Sequence, residues 1–219
     1  MSAVLVLALA IGANTAVFSL IEWTLLRPYP YPHPEQLLMV RESSKRFEDM
    51  SVAYPNFLDW REQSKDLFTG MAAFRRDNFN LSGIGDPERL SGRMVASDFF
   101  SVLGAQPLIG RTFTDQDDRT GAARTVVISH SLWRRRFNSD PRVIGSSITL
   151  TSEPYTIVGV LPPGFRFLAE SDVFVPVGLW AEKFKDREDH PGLSVLARLR
   201  PGVSLSQARA AMNAIAERL

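Results

Sequence analysis

The sequence predicts an α+β fold: a membrane helix at the N-terminus, then a domain of alternating short strands and helices. Three observations carry this. The chain holds no charged side chain before Glu22, whereas charges are spread through everything after Arg27. Four prolines between Arg27 and Glu35 separate the two regimes. Beyond them, runs with a period of two alternate with runs with a helical period, bounded by Gly, Pro, Asn and Ser.

The first element is the uncharged stretch from Ala3 to Ile21, 19 residues interrupted only by Asn14, Thr15 and Ser19. About 20 apolar residues rising 1.5 Å each cross a ~30 Å hydrocarbon layer. A secretory signal carries a basic n-region, a shorter apolar run and a small-x-small cleavage site. Here "MSAVLVLALA" has no Lys or Arg, and the run ends in bulky "EWTLLRPYP". A helix apolar all round needs a large core around it if it is not in lipid. An anchor over residues 1–27 is the expectation. Ala8, Gly12 and Ala16 recur every fourth residue, a small-residue stripe that lets another membrane helix approach closely. Trp23, Tyr29 and Tyr31 fall where amphipathic rings favour the membrane interface.

"RPYPYPHP" cannot continue a helix, and its alternation favours an extended exit over residues 28–35. The remaining domain, 36–219, opens with a strand in "QLLMVRE" and a polar loop, "SSKRFEDMS". A helix follows in "YPNFLDWREQS", with Phe57 and Trp60 on one face. "FNLSG" and "RLSGRMVA" are expected strands around the "GIGDPE" turn. "SDFFSVLG" is a short helix with Ser97 as its cap and Gly104 as its stop.

"TVVIS" is a buried strand running directly into the helix "HSLWRRRFN", which Ser129 can cap and Asn138 can end. "SITLTSEPYTIVGV" has hairpin patterning, with Ile148, Leu150, Tyr155 and Ile157 facing one way. "DVFVPV" is expected at a sheet edge because of Pro176, and "LSVLARLR" is a further strand. In the last segment Ser204 and Gln207 form an S-x-x-Q capping box. Leu205, Ala208, Met212, Ile215 and Leu219 mark its apolar face, which is expected to pack on "LSVLARLR".

Composition narrows the function. Twenty-five basic against 24 acidic side chains leave no global field for nucleic acid. Without cysteine there is no disulfide, thiolate metal site or cysteine nucleophile. Neither G-x-x-x-x-G-K-[ST] nor G-x-G-x-x-G occurs, so no phosphate cradle is expected, and no G-x-S-x-G elbow is present. Ser129 and His130 are adjacent, a spacing that does not aim the imidazole at the hydroxyl. His33, His130 and His190 have no metal-ligand spacing.

"DQDDRTG" starts like a calcium loop. An EF-hand needs Gly sixth and Glu twelfth, and those places hold Thr120 and Val126, so a solvated turn is expected. Arg134, Arg135 and Arg136 splay over about 200° of a helix. A solvated face is expected of them, with lipid headgroups or a partner as the competing use. No catalytic group, cofactor or metal is expected.

Several stretches, in order and over nearly the whole chain, together resemble one family. They are "LALAIGANTAVFSLIEWTLLRPYPYPHPEQL", "SVAYPNFLDWREQS", "VASDFFSVLGAQPLIGRTFTDQDD", "VVISHSLWRRRFNSDPRVIGSSITL", "YTIVGVLPPGFRF" and "LARLRPGVSLSQARAAM". They are similar to the first transmembrane helix and periplasmic core domain of MacB-type ABC transporter permeases, especially the duplicated orphan permeases of acidobacteria. The resemblance implies a non-catalytic subunit of the bacterial inner membrane, driven by a separate cytoplasmic ABC ATPase. Residues after about 28 would lie outside the cytoplasm and pass motion to a substrate or a periplasmic partner protein. Other permease helices, a second permease copy and membrane lipid are the implied neighbours; nucleic acid is not. Family members carry basic residues before this helix and continue beyond the last one, so a truncated permease is expected. A membrane-anchored periplasmic binding or scaffold module without an ATPase is the competing expectation.

Overall fold

The computed structural model describes residues 31–42, 50–216 and 218. The segment expected in the membrane, with Ala8, Gly12 and Ala16, and the start of the proline run lie outside those residues. Among the described residues no helix is long and apolar enough to cross a membrane. From Glu35 onward the chain forms one compact unit.

Strand β1 (Leu37–Val40) precedes helix α1 (Tyr54–Gln63). Pro55 sits in the first turn of α1, where a missing N–H costs nothing. Tyr54, Phe57 and Trp60 are its buried residues, on the face expected from their spacing. Strand β2 (Phe68–Ser82) is far longer than the expected "FNLSG". Met71 to Phe74 are all buried, whereas from Arg75 onward exposed and inward positions alternate. A strand covered on both faces loses the period of two by which a strand is recognised. Strand β3 (Glu88–Val95) returns antiparallel to β2.

Helix α2 (Phe99–Leu103) ends on Gly104 in the left-handed conformation, φ 71°. Ser97 does not cap it. The residue at the cap position is Asp98, which makes no side-chain cap bond, and the Ser97 hydroxyl donates instead to Asp115 at 2.7 Å. Strands β4 (Ile109–Gly110) and β5 (Thr125–Ile128) follow. Helix α3 (His130–Phe137) is capped as expected: Ser129 Oγ accepts the Leu132 N–H at 3.0 Å, and Asn138 ends the helix at φ 51°.

Strands β6 (Ser147–Leu150) and β7 (Glu153–Val160) form the expected hairpin. Thr151 and Ser152 both have positive φ, 50° and 68°, the requirement of a two-residue type I′ turn. Strands β8 (Val173–Pro176) and β9 (Ser194–Leu199) precede helix α4 (Leu205–Ala216). At the start of α4 the capping box closes both ways: Gln207 N–H donates to Ser204 Oγ, and Ser204 N–H to Gln207 Oε1.

The strands run in the order β1-β9-β2-β3-β8-β5-β7-β4, and β6 bridges β7 back to β2. Six strands, β2, β3, β8, β5, β7 and β6, therefore close on themselves in a barrel-like ring. Phe79, Leu81, Leu90, Ile148, Leu150, Tyr155 and Ile157 are all buried there. Closure removes most of the free edge of these strands. The first half of β2 instead pairs with β9, and β9 with β1. One strand thus belongs to both halves of the domain.

Strand β8 is not at an edge. It pairs parallel to β3 and antiparallel to β5. Pro176 is tolerated because it is the last residue of the strand, beyond the β5 pairing that stops at Phe174. Helix α4 has α1 as a packing neighbour, and Arg218 donates to Gln63 at 3.2 Å. Ala208 and Ile215 are buried, while Leu205 is 53% exposed at the start of the expected apolar face.

The core beneath α2 is a cluster of phenylalanines, with Phe99 edge-on to Phe100 and Phe167 at 5.4 and 5.1 Å. Arg93 is buried among them, its guanidinium 5.4 Å from the Phe167 ring and donating to the Phe167 carbonyl at 2.8 Å.

Candidate functional site

The residues before β9 form a strap, 185–193, bound to α1 and to the chain just after β1. Arg187 donates to Asn56 and forms an ion pair with Asp59, both on α1. The Pro191 carbonyl accepts from Arg75 at 2.7 Å, and the Leu193 carbonyl accepts the Val52 N–H at 2.8 Å. At the centre, Glu42 Oε2 lies 2.8 Å from His190 Nε2. The other oxygen of Glu42 accepts from Ala53 N–H and Asn56 Nδ2 at 3.0 and 2.8 Å. Burial pulls the imidazole pKa down. The bonds to Glu42 and to the Glu188 carbonyl, with the charges of Glu42 and Asp189, outweigh it and leave His190 raised.

Glu42 and His190 are 148 residues apart, and nothing in their local sequence announces the pair. Beside them, Glu42, Asn56 and Trp60 line a cleft of about 220 Å³ with Met212, Asn213 and Ala216 of α4. The strand that starts the domain and its last described helix therefore meet at one place.

A second anchored segment is "DQDDRTG", a turn with Asp115, Gln116, Arg119, Thr120 and Gly121 exposed as expected, but pinned at its middle by Asp117 and Asp118. Asp117 is 7% exposed and accepts two bonds from Arg111, at 2.6 and 2.9 Å, and two from Thr114. Burial raises its carboxyl, and the Arg111 and Thr114 bonds overcome that and hold it at about 2. Asp118 accepts backbone N–H bonds from Ser97 and Gly178, tying the end of β3 to the 3-10 helix Val177–Phe184. Its burial still pushes its carboxyl up. A side chain at Gly178 would fall 2.3 Å from the Asp118 carbonyl oxygen, so only glycine permits that approach.

Their oxygens bind the domain's own chain, and among the described residues no group of three or more His, Asp or Glu side chains could hold a metal ion. The arrangement is a frame of fixed charges. Ser129 Oγ is taken up by its cap bond, and the His130 ring is edge-on to Trp133 at 5.7 Å. The arginine run is not simply a solvated face. Arg135 bonds Glu88 and Asp172 at 2.7 and 2.9 Å, and Arg136 bonds Glu88 at 2.6 Å, which fastens α3 across β3 and the start of β8.

The family described as the MacB-like periplasmic core domain matches residues 1–215. The periplasmic region of MacB from Actinobacillus actinomycetemcomitans is similar at 13% identity and a TM-score of 0.62, over 83% of this chain and 82% of that one. A domain of a candidate permease protein from Porphyromonas gingivalis gives 19% identity and 0.61, over 86% and 83%. The extracellular domain of the ABC-type transporter YknZ from Gram-positive bacteria gives 16% and 0.55, over 80% and 86%. At these identities the likeness is one of fold. No curated protein matches the chain significantly.

Proposed function

Because the chain belongs to the family of MacB-like periplasmic core domains, a non-catalytic module, we propose that it is the membrane helix and extracytoplasmic domain of an ABC-type permease subunit. In this reading residues 1–27 cross the inner membrane, 28–35 form a stiff exit and 36–219 stand outside the cytoplasm. A cytoplasmic ABC ATPase supplies the energy, and the stripe Ala8, Gly12 and Ala16 packs on another permease helix or a second copy. The outer domain transmits motion to a substrate or a periplasmic partner protein.

The observation that carries the reading is the continuity of β2. One 15-residue strand pairs with β9 at its start and with β3 and β6 at its end. A displacement applied to the β1–β9 side reaches the ring through one hydrogen-bonded strand, with no loop between the two. The Glu42–His190 strap braces the same side. Such a frame conducts force; a catalyst needs convergent reactive groups instead.

Sodium carbonate extraction of bacterial envelopes expressing the full chain tests this. Retention in the membrane is expected, with the outer domain open to protease added to spheroplasts. Introducing Gly12→Glu should lower retention, since a charge at the centre of a spanning helix costs about 2.5–3.5 kcal/mol on insertion scales. Release of the unaltered chain by carbonate would overturn the reading.

A further inference from the structure

Strand β2 has one side open at mid-length. On its β3 side the ladder is continuous from Phe74 to Leu81, and the Ala73 carbonyl accepts the Ala96 N–H, so odd-numbered residues bond toward β3. Even-numbered residues bond the other way: Phe74 is opposite Ser194 of β9, and the Asn80 carbonyl accepts the Thr151 N–H at 2.8 Å. Between those points, the backbone groups of Arg76 and Asn78 meet no strand among the described residues. The Asn78 N–H is held instead by the neighbouring Asp77 carboxylate at 2.8 Å.

The gap from Arg75 to Phe79 is about 17 Å long at ~3.4 Å per residue, the length of a short strand. A groove of about 510 Å³ opens at the Asp77–Phe79 end of this gap; Thr151, Tyr155, Leu179 and Trp180 also line it, together with charged side chains such as Arg124 and Glu182. Unpaired N–H and C=O groups beside a partly apolar groove are what strand addition uses: backbone bonds give affinity, and alternate side chains give selectivity.

We propose that this groove takes an extended segment of a partner protein, which adds to β2 as a short strand between β9 and β6. The segment bonds the backbone of Arg76 and Asn78 and places one apolar side chain among Tyr155, Leu179 and Trp180. The inference rests on the domain being a partner-contacting module and names what the partner must offer: an extended, unpaired backbone with an apolar residue. Asp77 acts as a stand-in that satisfies the Asn78 N–H until the segment arrives.

The purified full chain in detergent micelles is screened with a phage-displayed random heptapeptide library, and an enriched peptide is synthesised. Hydrogen exchange with and without the peptide then locates it. Protection of the Arg76 and Asn78 amides on binding is expected. Asn78→Pro, which removes the gap-facing N–H, should weaken binding at least about tenfold, and Asn78→Ala, which keeps it, by less than about twofold. Trp180→Ala, at a half-buried groove position, should also weaken binding and serves if the proline variant misfolds. Three results each overturn the proposal: no enrichment over a selection without protein, protection located elsewhere, or an Arg76 amide already strongly protected in the free chain. None of these bears on carbonate retention, so the membrane reading stands or falls separately.

Discussion

The imidazole of His190 and the carboxylate of Glu42 meet at 2.8 Å across 148 residues of sequence, and they join the strap before β9 to the chain just after β1. Because the pKa of His190 is raised in the folded chain, the contact stabilises the fold fully below the ordinary histidine value of 6.5. That contribution is lost as pH rises through the folded value. Exchange protection of the Val52 amide, which bonds the Leu193 carbonyl, should therefore fall as pH rises above 6.5 and through the raised folded value. His190→Gln should remove the pH dependence in that window. A wild-type profile with no step there would show that the imidazole does not govern the strap.

Asp117 runs the opposite way with pH. Its carboxyl is lowered from 3.8 to about 2, so its contribution is present above 3.8 and lost as pH falls toward 2. The shift corresponds to about 2 kcal/mol at neutral pH. Asp117→Asn should cost roughly that much in urea denaturation at pH 7, and the difference from the parent should shrink as pH drops from about 4 to about 2. Raised Asp118 works against it in the same acid range. The comparison between parent and variant removes that common background.

Gly92 and Phe79 test the packing of the ring. A Cβ at Gly92 would lie 2.6 Å from the Phe79 ring and 2.9 Å from Val173 Cγ2. Gly92→Ala should destabilise by about 1–3 kcal/mol through overpacking. Combining it with Phe79→Leu should cost less than the sum of the two single changes, because the smaller side chain clears the space. Strict additivity in the denaturation midpoints would mean that the glycine serves some purpose other than making room for the ring.

Glu88 accepts from both Arg135 and Arg136, whose bonds hold its carboxyl below the usual range. The three side chains are 21–35% exposed, so solvent screens them in part. Glu88→Gln should cost about 1 kcal/mol at low salt, the upper end for exposed pairs because two arginines share one carboxylate. Raising the salt toward 1 M should reduce that cost, as monitored by thermal unfolding at several ionic strengths. A cost that ignores salt would assign the arginines to packing.

The helices α1, α3 and α4, the β6–β7 hairpin and strands β1, β3, β5 and β9 were legible in the amino acids because each carries its own local chemistry. Ser129 and Ser204 are caps, Gly104 and Asn138 are stops, and Thr151–Ser152 make a turn, all set by groups within a few residues of one another. The family, too, was readable from ordered stretches along the chain, and it matches residues 1–215. The early half of β2 was not legible. Burial on both faces erases its alternation, and that burial comes from β9 and from helices placed by the whole fold. Ser97 and Pro176 carried correct local preferences that distant partners redirected: Asp115 took the hydroxyl, and the end of the β5 pairing gave the proline a place inside the sheet. The closed ring, the Glu42–His190 clasp, the buried Asp117 and the open stretch of β2 all depend on which segments lie beside one another. A chain determines nearby contacts through its residue types. Contacts between segments over a hundred residues apart are decided only when the competing burials are settled together, and here that happened in the folded domain.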